Sequence, residues 1–107
     1  MNITEHLLTC VAEEGAEIAQ DADKSLRFGL LDVNFLIPNG PNNTERLVNE
    51  LNDLLGVVDM LVKRGVIPAN WQSTMKQLKK KNKVIAMMRY AKRVGTLQCT
   101  KAELSKL

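Results

Sequence analysis

Residues 3–28 read ITEHLLTCVAEEGAEIAQDADKSLRF, preceded by Asn2 and followed by Gly29. Ile3, Leu7, Val11, Ile18 and Ala22 recur at the alternating steps of three and four that keep one helix face apolar. Asn2 with Glu5 three residues later fits a capping box, and Gly29 is a fitting stop, so a helix is predicted over Ile3–Phe28. The position that should complete the stripe between Val11 and Ile18 is occupied by Glu14. An acid on an apolar face needs a partner or a purpose.

Working outward, residues 29–43 (GLLDVNFLIPNGPNN) break any helical period and predict a loop with a short extended piece at Asp32–Ile37. Its apolar residues Leu30, Leu31, Val33, Phe35, Leu36 and Ile37 are expected to pack on the body of the protein. A second helix is predicted over Thr44–Arg64. Asn42 and Glu45 form its capping box, and Leu47, Leu51, Leu54, Val58 and Leu61 its stripe, flanked by Leu55 and Val62. A third should start near Pro68 or Ala69 and run to Val94, with Trp71, Met75, Leu78, Ile85 and Met88 inward and Lys76, Lys79, Lys80 and Lys83 on the opposite side. Thr100 and Glu103 cap a short helix over Lys101–Lys106. The fold expected is all-α: an antiparallel bundle of three long helices plus a short C-terminal one, a single domain over 1–107 with its core in 1–95 and a tail in 96–107. Limited core volume predicts completion by a homo-oligomer, dimer or tetramer.

The chain has 107 residues, 45% hydrophobic and 25% charged, which is room for one core. No apolar run approaches the ~18 residues of a membrane span, and no secretory signal opens the chain. Cys10 and Cys99 match no metal spacing and read as free thiols of a cytoplasmic protein. Residues 1–62 hold 11 of the 12 acids against three bases (Lys24, Arg27 and Arg46), a net of −8. Residues 63–107 hold the other 12 bases against Glu103 alone, a net of +11. Such asymmetry fits a nucleic-acid arm, an acidic half folded on a basic half of the same or a neighbouring subunit, or a site holding metal and phosphate.

Glu13, Glu14 and Glu17 spell E-E-x-x-E, and Glu50 and Asp53 spell E-x-x-D. Residues three apart leave adjacent turns on one face. Antiparallel packing of the first two helices would bring Glu14, Glu17, Glu50 and Asp53 to one half-buried seam. Their mutual repulsion there would be relieved by a hard cation with oxygen ligands, Mg²⁺ above all. The other reading is a solvated acidic face, or a seam paired with bases of the third helix. His6 and Trp71 read as a helix-start histidine and a core tryptophan. The methionines Met60, Met75, Met87 and Met88 read as core or dimer packing.

The run LLTCVAEEGAEIAQ (7–20), with NELNDLLGVVDML (49–61), resembles the MazG-like family of all-α nucleoside triphosphate pyrophosphohydrolases, and KSLRFGL (24–30) is similar to phage-type members. The resemblance spans about residues 1–90. It implies that Glu14, Glu17, Glu50 and Asp53 bind Mg²⁺ and serve catalysis, with Glu13 supporting or exposed. It further implies cleavage of a (d)NTP to (d)NMP and pyrophosphate, in the host cytoplasm if phage-encoded. Arg46, one turn before Glu50, and Lys79 and Lys83 resemble the family's phosphate-binding bases; Lys24 and Arg27 are weaker candidates. Thirty-two residues separate Glu17 from Glu50, more than in compact relatives, and the excess falls in the 29–43 loop. Competing readings are a nucleic-acid-binding module using the basic third helix and a helical interaction protein without activity. Scarce aromatics (Phe28, Phe35, Trp71 and Tyr90) disfavour nucleic acid as a partner.

Overall fold

A computed structural model describes residues 1–107 as four helices without a β-strand: α1 (Ile3–Phe28), α2 (Asn43–Lys63), α3 (Thr74–Arg93) and α4 (Lys101–Ser105). The three predicted capping boxes all form. Asn2, Asn42 and Thr100 each accept from the backbone N–H three residues on, and Glu5, Glu45 and Glu103 reach back to the cap N–H. Each box satisfies two of the donors that a helix start leaves unpaired. Gly29 ends α1 at φ +101°, a conformation that side-chain-bearing residues rarely adopt, while its N–H donates to Ser25 O at 2.9 Å.

The chain divides into two compact units, Met1–Ala69 and Asn70–Leu107. In the first, α1 and α2 pack together. Their antiparallel sense follows from both ends. At one end Arg64 Nε donates to Thr4 Oγ1 at 3.4 Å; at the other, Asn43 Nδ2 donates to Gly29 O at 2.8 Å and Thr44 N to Leu30 O at 3.0 Å. Leu7 and the fully buried Leu61 anchor the apolar contact. Burying each is worth about 1.5–3 kcal/mol, before the entropy of ordering it.

The face that α1 buries runs Leu7, Val11, Glu14, Ile18, Asp21; Asp21, not Ala22, continues the line. On α2 the covered line is Asn43, Leu47, Glu50, Leu54, Val58, Leu61. Leu51 and Leu55, expected on or beside the stripe, are exposed. The α1–α2 seam therefore holds acids in its middle, with leucines toward one end.

The 29–43 segment departs from expectation. Only Val33 among its six apolar residues is half-buried, and it makes an isolated antiparallel bridge with Asn42. Leu30, Leu31, Phe35, Leu36 and Ile37 are exposed, because short turns at 34–37 and 37–40 hold the loop by its own backbone hydrogen bonds instead of laying it on a core.

In the second unit α3 and α4 pack together. Helix α3 starts at Thr74 and not near Pro68, because Ser73 supplies the cap by accepting from Lys76 N at 3.1 Å. Trp71 therefore precedes the helix and is 40% exposed, which corrects its reading as a core residue. Met75 and Leu78 are exposed as well, whereas Ile85 and Met88 are half-buried. The methionines Met60 and Met87 are also exposed. Cys10 and Cys99 are free thiols, both half-buried. No helix is long and apolar enough to cross a membrane.

Candidate metal centre

The seam of α1 and α2 gathers Glu14, Glu50 and Asp53. One carboxylate oxygen from each lies within 4.8 Å of the others. Helix periodicity makes this possible: Glu50 and Asp53 leave adjacent turns of α2, and Glu14 occupies the gap in the α1 stripe directly in the contact. Asp53 is exposed, while Glu14 and Glu50 are half-buried. Glu17 lies outside that triad, with its carboxyl placed to share a proton with that of Glu50.

Two atoms make the cluster unusual. Glu14 Oε2 and Glu50 Oε2 are both shut off from solvent, and with the acids ionised neither has a hydrogen-bond partner. Buried polar groups are almost always partnered, and a buried carboxylate oxygen without a donor is costly. The chain's two ion pairs, Arg27–Asp23 at 3.0 Å and Lys63–Asp59 at 3.1 Å, lie elsewhere and are solvent-exposed turns of single helices. No base therefore neutralises the seam.

The electrostatic consequence is a raised proton affinity. The Glu17 carboxyl is held above the usual glutamate range by its hydrogen bond with Glu50, then by the Glu50 charge and partial burial. For Glu50 the hydrogen bond from Glu17 pulls downward. The opposing hydrogen bond with Glu14, partial burial and the charges of Glu14 and Asp53 outweigh it, and the net shift is upward.

A hard divalent cation fits this donor set. Every ligand atom is a carboxylate oxygen, and oxygens on opposite sides of such an ion lie about 4–5 Å apart. Glu14, Glu50 and Asp53 would hold it directly, with Glu17 against Glu50.

A pH test follows from the raised affinities. Between the ordinary glutamate value near 4.5 and the higher value in the fold, the native protein keeps a proton that the unfolded chain has released. Stability of the metal-free protein falls as pH rises through that interval, and the loss is complete above the native value. Glu17→Gln removes the titrating group. Its melting temperature should gain on wild type as pH rises from about 5 to about 8 without metal; a difference that stays constant with pH would refute the assignment.

The bases fall in different places. Arg46 is half-buried one turn before Glu50 and lines a cavity of about 250 Å³ in the first unit, with Lys24 also in the lining. Arg27 is engaged by Asp23 and stacked on Phe28 at 5.0 Å. Lys79 and Lys83 are exposed on α3, in the second unit. His6 is exposed beside the α1 cap. Sequence reasoning missed Asp21, only 6% exposed, and Asn43, 5% exposed. The signal for Asp21 was present, since positions 7, 11, 14, 18 and 21 form one line on a helix; Asn43 carried none, because its burial depends on the loop carbonyl it meets.

Compared with protein-family models, curated proteins and solved structures, the chain finds no match in any of the three.

Proposed function

We propose that the α1–α2 seam is the Mg²⁺ site of a nucleoside triphosphate pyrophosphohydrolase that converts a (d)NTP to (d)NMP and pyrophosphate. The observation that carries this reading is the pair of buried carboxylate oxygens, on Glu14 and Glu50, that have no hydrogen-bond partner when the acids are ionised. The E-E-x-x-E and E-x-x-D motifs resembling the MazG-like family support the choice of reaction.

Each acid has a distinct task in this reading. Glu14, Glu50 and Asp53 would hold the metal. Bound Mg²⁺ supplies charge for the triphosphate and acidifies a water. Glu17, whose proton affinity is raised, accepts a proton from the attacking water on its carboxylate. Arg46, one helical turn from Glu50, steadies phosphate oxygens.

The test is a screen of nucleoside triphosphates with and without Mg²⁺, reading pyrophosphate and monophosphate. At least one substrate should give both products only with the metal. No pyrophosphate from any canonical or modified triphosphate would refute the activity.

The reading includes a three-helix antiparallel bundle completed by a homo-oligomer, dimer or tetramer. Exposed Met75, Leu78, Met87 and Tyr90 on α3 support it, together with an apolar groove lined by Val84, Met87, Met88 and Leu97. Light scattering at micromolar concentration should give a multiple of 12.0 kDa; a monomer would overturn this part. A second reading, nucleic-acid contact through α3, draws on Lys76, Lys79, Lys80 and Lys83, all exposed and free of ion pairs. Affinity for nucleic acid falling steeply with salt would favour it.

A further inference from the structure

The cavity beside Arg46 carries more unspent chemistry than one phosphate contact needs. It encloses about 250 Å³ between the end of α1, the start of α2 and the loop that joins them. That is below the range of pockets for drug-sized ligands and matches one planar heterocycle with part of a sugar.

Two aromatic rings, Phe28 and Phe35, belong to its lining; Phe35 is exposed, and Phe28 is exposed apart from the Arg27 guanidinium over its ring. The polar lining is only half used by the fold. Asn43 spends Nδ2 on Gly29 O at 2.8 Å, and no donor in the chain takes up its Oδ1. Asn34 spends Oδ1 on Leu36 N at 3.0 Å, and its amide hydrogens have no acceptor. Asp32 uses its backbone alone, accepting from Asn43 N and donating to Gly29 O, so its carboxylate is free. One unused donor and two unused acceptors thus belong to residues lining the cavity with the two aromatic rings.

Location links this cavity to the carboxylates. Asn43, Arg46 and Glu50 lie in one line on α2, and Arg46 precedes Glu50 by about 6 Å along the axis. A ligand with its flat part in the cavity would lead its phosphates past Arg46 toward the acids.

We infer that the cavity of Phe28, Phe35, Asp32, Asn34 and Asn43 is a nucleobase subsite, so that the 29–43 loop of this chain selects the base. The inference rests on the nucleotide reading above and adds the residues that recognise the base. Phe28 and Phe35 offer stacking faces, which any base can use. The amide of Asn34, the Oδ1 of Asn43 and the Asp32 carboxylate offer edge hydrogen bonds, which distinguish one base from another. Lys24 and Arg46, both in the lining and without an acidic partner, would take the phosphates.

The experiment is an amide NMR titration of the full chain, without Mg²⁺, using dAMP, dCMP, dGMP and TMP in turn, and inorganic pyrophosphate as the base-free probe. At least one nucleotide should shift the Asn34, Phe35 and Asn43 signals, including the Asn43 side-chain amide, while pyrophosphate leaves them in place. Phe35→Ala, at a site 85% exposed and so without cost to folding, should weaken that nucleotide about tenfold and leave pyrophosphate affinity unchanged.

Equal shifts with pyrophosphate would reduce the cavity to a phosphate site and overturn the inference. So would nucleotide shifts confined to other residues, absence of nucleotide binding, or Phe35→Ala binding as wild type. Failure of the two readings is distinguishable. Mg²⁺-dependent pyrophosphate release without cavity shifts leaves the hydrolase and removes the base subsite, whereas cavity shifts without hydrolysis do the reverse.

Discussion

Glu50→Gln should lower Mg²⁺-dependent turnover by orders of magnitude while leaving the metal-free protein as stable as wild type, or more so. The substitution keeps the shape of the side chain and removes one negative charge from a site where Glu14, Glu17 and Asp53 already crowd it. Without metal, that relieves repulsion. With metal, it removes a strong ligand at the centre of the seam. Wild type should therefore gain stability from Mg²⁺, about 2.7 kcal/mol when the ion stands at a hundred times its dissociation constant, and the variant should gain little. Thermal melts of both proteins, each with and without Mg²⁺, read these outcomes together with turnover. A structural ion-pair acid would behave in the opposite way. Its loss would strand a cation, the variant would melt lower, and Mg²⁺ would change neither protein.

Leu61→Ala should be the most damaging truncation in the first unit. Leu61 is the one large side chain with 0% exposure, and it sits near the end of α2 where Val66 N donates to its carbonyl at 3.0 Å. Removing its branched end forfeits transfer free energy and leaves a cavity, about 2–5 kcal/mol in all. For a chain of this size that corresponds to a fall in melting temperature of about 10 °C or more. Leu55→Ala, on the same helix but 51% exposed, is the control and should change the melting temperature little. Equal melting temperatures for the two variants would show that the α1–α2 seam is not the core.

Helix identity and three of the caps were legible because each depends on neighbours within four residues. Asn2–Glu5, Asn42–Glu45 and Thr100–Glu103 each close a hydrogen-bonded box whose geometry no distant part of the chain alters. Glu14 was legible as a break in a periodic stripe, and Glu50 and Asp53 as a three-residue step. The start of α3 was misplaced because Pro68 and Ser73 both offer a helix start, and only the hydrogen bond from Lys76 N to Ser73 decides between them.

The sequence by itself determined four helices and placed acids on the facing stripes of the first two, since periodicity and capping are local and strong; that the acids meet was decided by the packing. Tertiary structure alone decided which side of each stripe is covered. It placed Glu50 on the α2 contact face, turned Leu51 and Leu55 outward, and continued the α1 face through Asp21. It also decided that the 29–43 loop keeps Phe35 and Leu36 exposed around a cavity, with Asn43 buried against Gly29. The reason is physical. A hydrophobic pattern says which residues gain from burial, but the rotation of one helix against another is fixed by side-chain packing across the seam, which no single helix contains.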